Sequence, residues 1–147
     1  RMLPSVTHDA SKTDKWWQWT AVNSEGAMAI SYYDRRYGND EVTGFSDISL
    51  TTGNHTARVT SSSMPPPTQF SNGAGHSLFL GDYAAVTVSK DTALPIWADT
   101  RDVGITSCPA DVRKLCSFGN DQDVFTARMP IEKGNGDDGG DNGGDGG

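Results

Sequence analysis

The sequence predicts an all-β fold built from antiparallel sheets, and three observations carry that prediction. Apolar residues seldom recur at the three- and four-residue spacing of an amphipathic helix. Gly, Thr, Ser, Asp and Asn interrupt the chain roughly every eight to twelve residues, a spacing typical of short strands. The runs between them are short, and are rich in β-branched and aromatic side chains. Many short strands joined by polar connections favour antiparallel sheets.

Strands are expected at 18–23, 27–33, 45–51, 57–60, 82–89, 93–98 and 123–128. The first two flank a Ser24-Glu25-Gly26 turn. The second holds Tyr32 and Tyr33, which as neighbours on a strand face opposite sides, so at most one is expected in the core. A polar stretch, "DRRYGNDEVTG", then leads to the third strand, and Gly53-Asn54 marks the turn to the fourth. "SSSMPPPTQFSNGAGHS" at 61–77 reads as a long loop, because its prolines cannot sit in a central strand. The stretch 100–122, "TRDVGITSCPADVRKLCSFGNDQ", reads as a second long loop.

The strands repeat. "WQWTAV" at 17–22 lies against "GDYAAV" at 81–86, and "AMAISYYDRR" at 27–36 against "ALPIWADTR" at 93–101. Each unit is a small-residue strand, a turn, and an apolar strand ending in Asp-x-Arg. Asp34 and Asp99 fall 65 positions apart, as do Arg36 and Arg101. "FSDISLTT" follows the first Asp-x-Arg and "QDVFTARM" the second, each with an Asp before a β-branched residue. Four strands per unit is the blade of a β-propeller, which closes with about four to eight blades. Two units, near 16–62 and 78–130, would leave edges and faces open. The fold expected is therefore about two four-stranded blades of a propeller that this chain alone does not complete.

Bulk properties bound the rest. Of 147 residues, the last fourteen (134–147) are only Gly, Asp and Asn, which leaves 1–133 as the foldable part. Without apolar side chains that tail is expected to be a disordered linker. It also lacks the recurring apolar position of Ca²⁺-binding glycine-rich repeats. The net charge of −7 owes much to Glu132, Asp137, Asp138, Asp141 and Asp145, and the cations are scattered, so no nucleic-acid footprint emerges. No apolar run nears the ~18 residues of a membrane-spanning helix. Cys108 and Cys116, separated by "PADVRKL", suit a local disulfide and an oxidising compartment, with free thiols the alternative. Their spacing is wrong for zinc, and His8, His55 and His76 are isolated. No metal or other cofactor is expected.

At "YYDRR", "GDYAAV" and "IWADTR…QDVFTAR" the chain resembles the sialidase-like superfamily with BNR (Asp-box) repeats, and in particular the C-terminal blades of secreted bacterial exo-alpha-sialidase-like proteins. The similarity spans roughly 16–130. It implies a six-bladed propeller, secretion or display at the cell surface, and a parent of glycoside-hydrolase type acting on a glycan or glycoconjugate. The remaining blades of the parent chain would be its partners. An active site drawn from several blades would leave this piece inactive by itself. The alternative is a non-catalytic propeller that binds glycans or proteins. The Asp box of that family is Ser-x-Asp-x-Gly-x-Thr-Trp. The corresponding "SDISLTTGNHTARVT" keeps a glycine turn and lacks the box's Asp and Trp.

The resemblance implies a chemistry of three arginines gripping a carboxylate, a Tyr nucleophile with a Glu, and an acid/base Asp, and planar guanidinium forks do match carboxylates. The local candidates are Asp82 and Tyr83 as catalytic groups, with Arg101, Asp99 and Arg36 as substrate-binding groups. A motif present in both repeats also has a structural reading, in which Asp99 and Arg101 pair with each other or cap backbone amides of the following loop, because a scaffold contact recurs in every unit whereas a catalytic group need occur once. Of the aromatics, Trp16, Trp17, Trp19, Trp97, Tyr32 and Tyr33 are expected mainly to fill the wedge between sheets.

Overall fold

The computed structural model describes residues 11–38, 44–67, 83–108, 111–120 and 122–131, and for Val103–Cys108 and Asp111–Asn120 it describes the backbone alone. The described residues contain strands and no helix, so none of them forms a helix long and apolar enough to cross a membrane. Strands β1 (Lys15–Val22), β2 (Met28–Asp34), β3 (Asp47–Thr52) and β4 (His55–Arg58) form an antiparallel meander in chain order. β5 (Ala85–Val88) and β6 (Thr92–Asp99) begin a second antiparallel sheet. The chain then makes the hairpin β7 (Val103–Cys108) and β8 (Asp111–Asn120), and returns as β9 (Asp123–Thr126) and β10 (Met129–Pro130). β9 and β10 lie end to end along the edge of β6 opposite β5.

The turns follow from their residues. Asn23 Oδ1 accepts from the amides of Glu25 and Ala27 at 2.9 Å each, and Gly26 sits at φ 83°. An Asx turn followed by a left-handed glycine closes this five-residue loop. Between β3 and β4 the loop is two residues long, Gly53 and Asn54, and Gly53 takes φ 55° at the first position. That backbone is strained for any residue with a Cβ and matches the twist of a tight hairpin.

The ladder registers show the repeat in three dimensions. Asp34 faces Asp47 across β2 and β3, and Asp99 faces Asp123 across β6 and β9. The first strands correspond differently from the sequence match. Val22 faces Met28 and Val88 faces Ala93, so Val22 corresponds to Val88 and not to Val86. The small residues of these strands align equally well at either offset, and pairing to β2 and β6 decides between them.

Two other expectations change. The stretch 100–122 is largely the β7–β8 hairpin, paired from Val103↔Asn120 to Cys108↔Asp111. Polar punctuation concealed residues of strand-favouring type, among them Val103, Ile105 and Thr106. The side chains of Cys108 and Cys116 lie outside the described residues, and so does the disulfide expected between them. Tyr32 and Tyr33 are both buried, at 3% and 0% exposure, because β2 is covered on both faces.

The two sheets stack face to face. From the first sheet come Ala29, Tyr33, Ile48 and Leu50; from the second come Val86, Ala93, Trp97 and Ile131. Full burial of a side chain the size of Val, Leu or Ile contributes about 1.5–3 kcal/mol, and the alanines contribute less. The alternation of β6 places Ala93, Pro95, Trp97 and Asp99 inward, all buried. Under the 65-residue correspondence these match Met28, Ile30, Tyr32 and Asp34, whereas the first sheet docks through Ala29 and Tyr33 on its other face. The units therefore stack head to tail, with unlike faces in contact.

Candidate functional site

One end of this stack concentrates the charged chemistry. Both Asp-x-Arg sequences fold the same way as their strands end: Arg36 N donates to Asp34 Oδ1 at 2.8 Å, and Arg101 N to Asp99 Oδ1 at 3.0 Å. In each case the guanidinium then returns to the same carboxylate. Arg101 donates from Nε to Oδ1 at 2.9 Å and from Nη2 to Oδ2 at 2.7 Å, and Trp97 Nε1 adds a bond to Oδ2 at 2.9 Å. Arg36 Nη2 lies 3.5 Å from Asp34 Oδ2, which also accepts from Ser49 Oγ at 2.8 Å.

A third pair completes the group. Arg58 Nε donates to Asp47 Oδ1 at 2.9 Å, and Ser63 Oγ to Oδ2 at 2.7 Å, with the Thr60 hydroxyl on Oδ1 as well. The guanidinia of Arg36 and Arg58 both lie over the Tyr37 ring, at 4.6 and 5.0 Å from its centroid. Segment 60–65 stitches the second sheet to this end. Arg101 Nη1 reaches Ser61 Oγ at 2.9 Å, Thr100 Oγ1 reaches the Pro65 carbonyl at 2.6 Å, and Met64 is bridged to Ser46.

The carboxylates of Asp34, Asp47 and Asp99 are fully buried. Burial alone would raise the Asp99 carboxyl. Hydrogen bonds from the Arg101 guanidinium, the Trp97 indole and the Arg101 amide outweigh it and hold that carboxyl below the usual range. The same pairing raises Arg101 further. A buried Asp so saturated with donors stays ionised, and an Arg fork filled by its own carboxylate works as a fastening.

The other residues read from the sequence are dispersed. Tyr83 stands before β5 with its side chain 83% exposed, and Asp82 lies outside the described residues. Tyr83 borders a hollow of about 340 Å³ on the outward face of the second sheet, lined by Ala85, Ile96, Ala98 and Val124 among others. Among the described residues no three His, Cys, Asp or Glu side chains gather closely enough to hold a metal.

A group that alternation does not reveal lies on β1. In a regular strand, Trp16 and Trp19 would point to opposite faces. A β-bulge separates them, so Trp16 pairs with Tyr33 and Trp19 with Ser31, both on one face of β2. Trp17, within the bulge, takes φ 49° and sets its ring edge-on to Tyr33 at 5.4 Å, while Trp16 stacks on Tyr33 at 5.5 Å. Bulges re-aim side chains in this way, often beside functional sites. Trp16 is half-buried beneath the Arg35 guanidinium at 5.0 Å, whereas Trp17 and Trp19 remain 39% and 51% exposed. The crowded indoles of "WWQW" were the available signal, since strict alternation cannot bury all three.

No protein-family model, curated protein or solved structure matches this chain.

Proposed function

We propose that this chain is a non-catalytic, propeller-type β-module that binds glycans through the exposed indoles of β1, Trp17 and Trp19. The observation that carries the reading is the bulge that turns the β1 indoles to the Tyr33 side, leaving two of them open to solvent. An indole offers a flat apolar surface with one polar edge. The C–H face of a pyranose ring matches the surface, and the sugar's hydroxyls match the wet surroundings. Display from a strand, backed by Tyr33, limits the entropy lost on binding.

The charged end supports binding over hydrolysis. Arg36, Arg58 and Arg101 are each engaged by an internal Asp, so gripping an acidic sugar would require breaking a buried ion pair. Such a break costs about 3–5 kcal/mol. In this reading the chain belongs to a secreted or surface-displayed protein, and hydrolysis by a sialidase-like parent is the competing class.

Titration of the chain with neutral and sialylated oligosaccharides, followed by tryptophan fluorescence, tests the reading. Saturable binding is expected, weakened roughly tenfold (about 1.4 kcal/mol) by Trp17→Ala or Trp19→Ala. A fluorogenic sialoside should remain intact. Hydrolysis that Tyr83→Phe abolishes would replace this reading with the catalytic one, and unchanged binding in both Trp variants would remove the indole site.

A further inference from the structure

The second sheet has a face without a partner among the described residues. Ala93, Pro95, Trp97 and Asp99 of β6 turn toward the first sheet, so Leu94, Ile96 and Ala98 turn away. Under the 65-residue correspondence, the outward three match Ala29, Ser31 and Tyr33. Those are the positions of β2 on the face by which the first sheet docks onto the second. The outward face is thus the same docking face, one repeat further on.

Its chemistry fits that role. Ile96, Val124 and Tyr83 are 41%, 75% and 83% exposed, and none of the residues lining the hollow between them carries a charge. The hollow has a local cause: where the first sheet carries the Tyr33 ring, the second carries only the methyl of Ala98.

We infer that this face docks a second copy of the same chain, with like faces packed about a two-fold axis and the Tyr83 ring of each copy seated in the other's hollow. Two observations select this occupant. A copy continuing the head-to-tail stack would need the opposite face of its own first sheet, and that face is already covered, with Ile30, Tyr32 and Asp34 at 8%, 3% and 0% exposure. The projecting ring and the hollow also lie on one face, which is the self-complementarity that a two-fold interface requires. The absence of charge lets chains of net charge −7 meet there without close repulsion. The inference is independent of glycan binding, which involves the other sheet.

Sedimentation equilibrium of the full chain over a range of concentrations tests it. A reversible dimer is expected. Val124→Glu and Ile96→Glu, both at exposed positions, should yield monomers with unchanged circular dichroism and thermal midpoint at low concentration. Tyr83→Ala should weaken the dimer at least about tenfold, as loss of a central aromatic anchor does. A chain that is monomeric at every concentration overturns the inference and leaves this face to some other sheet. So does a dimer whose dissociation constant is unmoved by Val124→Glu.

Discussion

The Tyr33 hydroxyl donates to the Ala98 carbonyl at 2.9 Å and accepts from the Ala98 amide at 3.1 Å, and the two residues hold the same place in successive repeats. The contact exists because the β5 ladder ends at Ala85↔Ile96, short of Ala98. The phenol reaches across from the first sheet and takes the place of the missing strand. Tyr33→Phe keeps the ring and strands both backbone groups. Unsatisfied buried polar groups cost about 1–3 kcal/mol each, so with two groups stranded urea denaturation should show a loss of about 2–6 kcal/mol with an unchanged m-value.

The same hydroxyl gives the fold an alkaline limit. Burial pushes the Tyr33 phenol up to about 12, with Asp99 adding to the rise and the Ala98 bond opposing it. Tyr32 also rises through burial, against bonds to Thr51 and Thr56. An unfolded tyrosine ionises near 10. The native state holds these protons after the unfolded state has released them, so stability is full below pH ~10 and falls as pH climbs toward 12. Denaturation midpoints across that window should fall. Tyrosinate absorbance of the native protein should show a late-titrating phenol that is absent from Tyr33→Phe.

Breaking one Asp-x-Arg pair should be costly from either side. Arg101→Met leaves the Asp99 carboxylate buried with only the Trp97 indole and a backbone amide, and should destabilise by about 3 kcal/mol or more. The double variant Asp99→Asn, Arg101→Met should recover part of that loss, as a double-mutant cycle would show. The depressed Asp99 carboxyl fixes the sign of the acid response. Its contribution is present above the ordinary carboxylate value of about 3.9 and is lost as pH falls through the lower folded value. Acid unfolding should therefore begin at higher pH in the Arg101→Met variant.

Much of this architecture was legible in the sequence. Alternation and turn residues located the strands of both sheets except the two-residue β10, and the recurrence of Asp-x-Arg located the repeat. Pairing of Asp34 with Asp47 and of Asp99 with Asp123 gives that recurrence a structural meaning. Three features were not legible, each because it depends on a partner distant in sequence. The β7–β8 hairpin forms from residues whose local pattern is polar. The offset of the first strands is chosen by pairing with β2 and β6. The regrouping of the indoles is produced by a bulge that no alternation rule anticipates. For the candidate site, sequence reading found the Asp and Arg side chains and the pairing of Asp99 with Arg101, and it missed the role of Asp47 as the partner of Arg58. Asp99 pairs with the Arg two residues on, and Arg58 reaches back 11 positions to Asp47.

The hairpin glycine offers a local check. Nothing lies within 4 Å of where a Cβ on Gly53 would sit, so substitution there reports on backbone conformation alone. At φ 55°, Gly53→Ala should cost about 1–2 kcal/mol. Thermal denaturation measures it, and Gly53→Asn should recover part of the loss because Asn tolerates the left-handed region.

The most direct test of the account is the behaviour of the arginine side chains when an acidic sugar is added. The Nε–H resonances of Arg36, Arg58 and Arg101 can be followed by NMR as sialyllactose is titrated into the chain. All three should stay in place while the indole N–H signals of Trp17 and Trp19 move and saturate. Saturable shifts of the three guanidinia, with the indoles still, would put the sugar at the charged end and rule out the indole site.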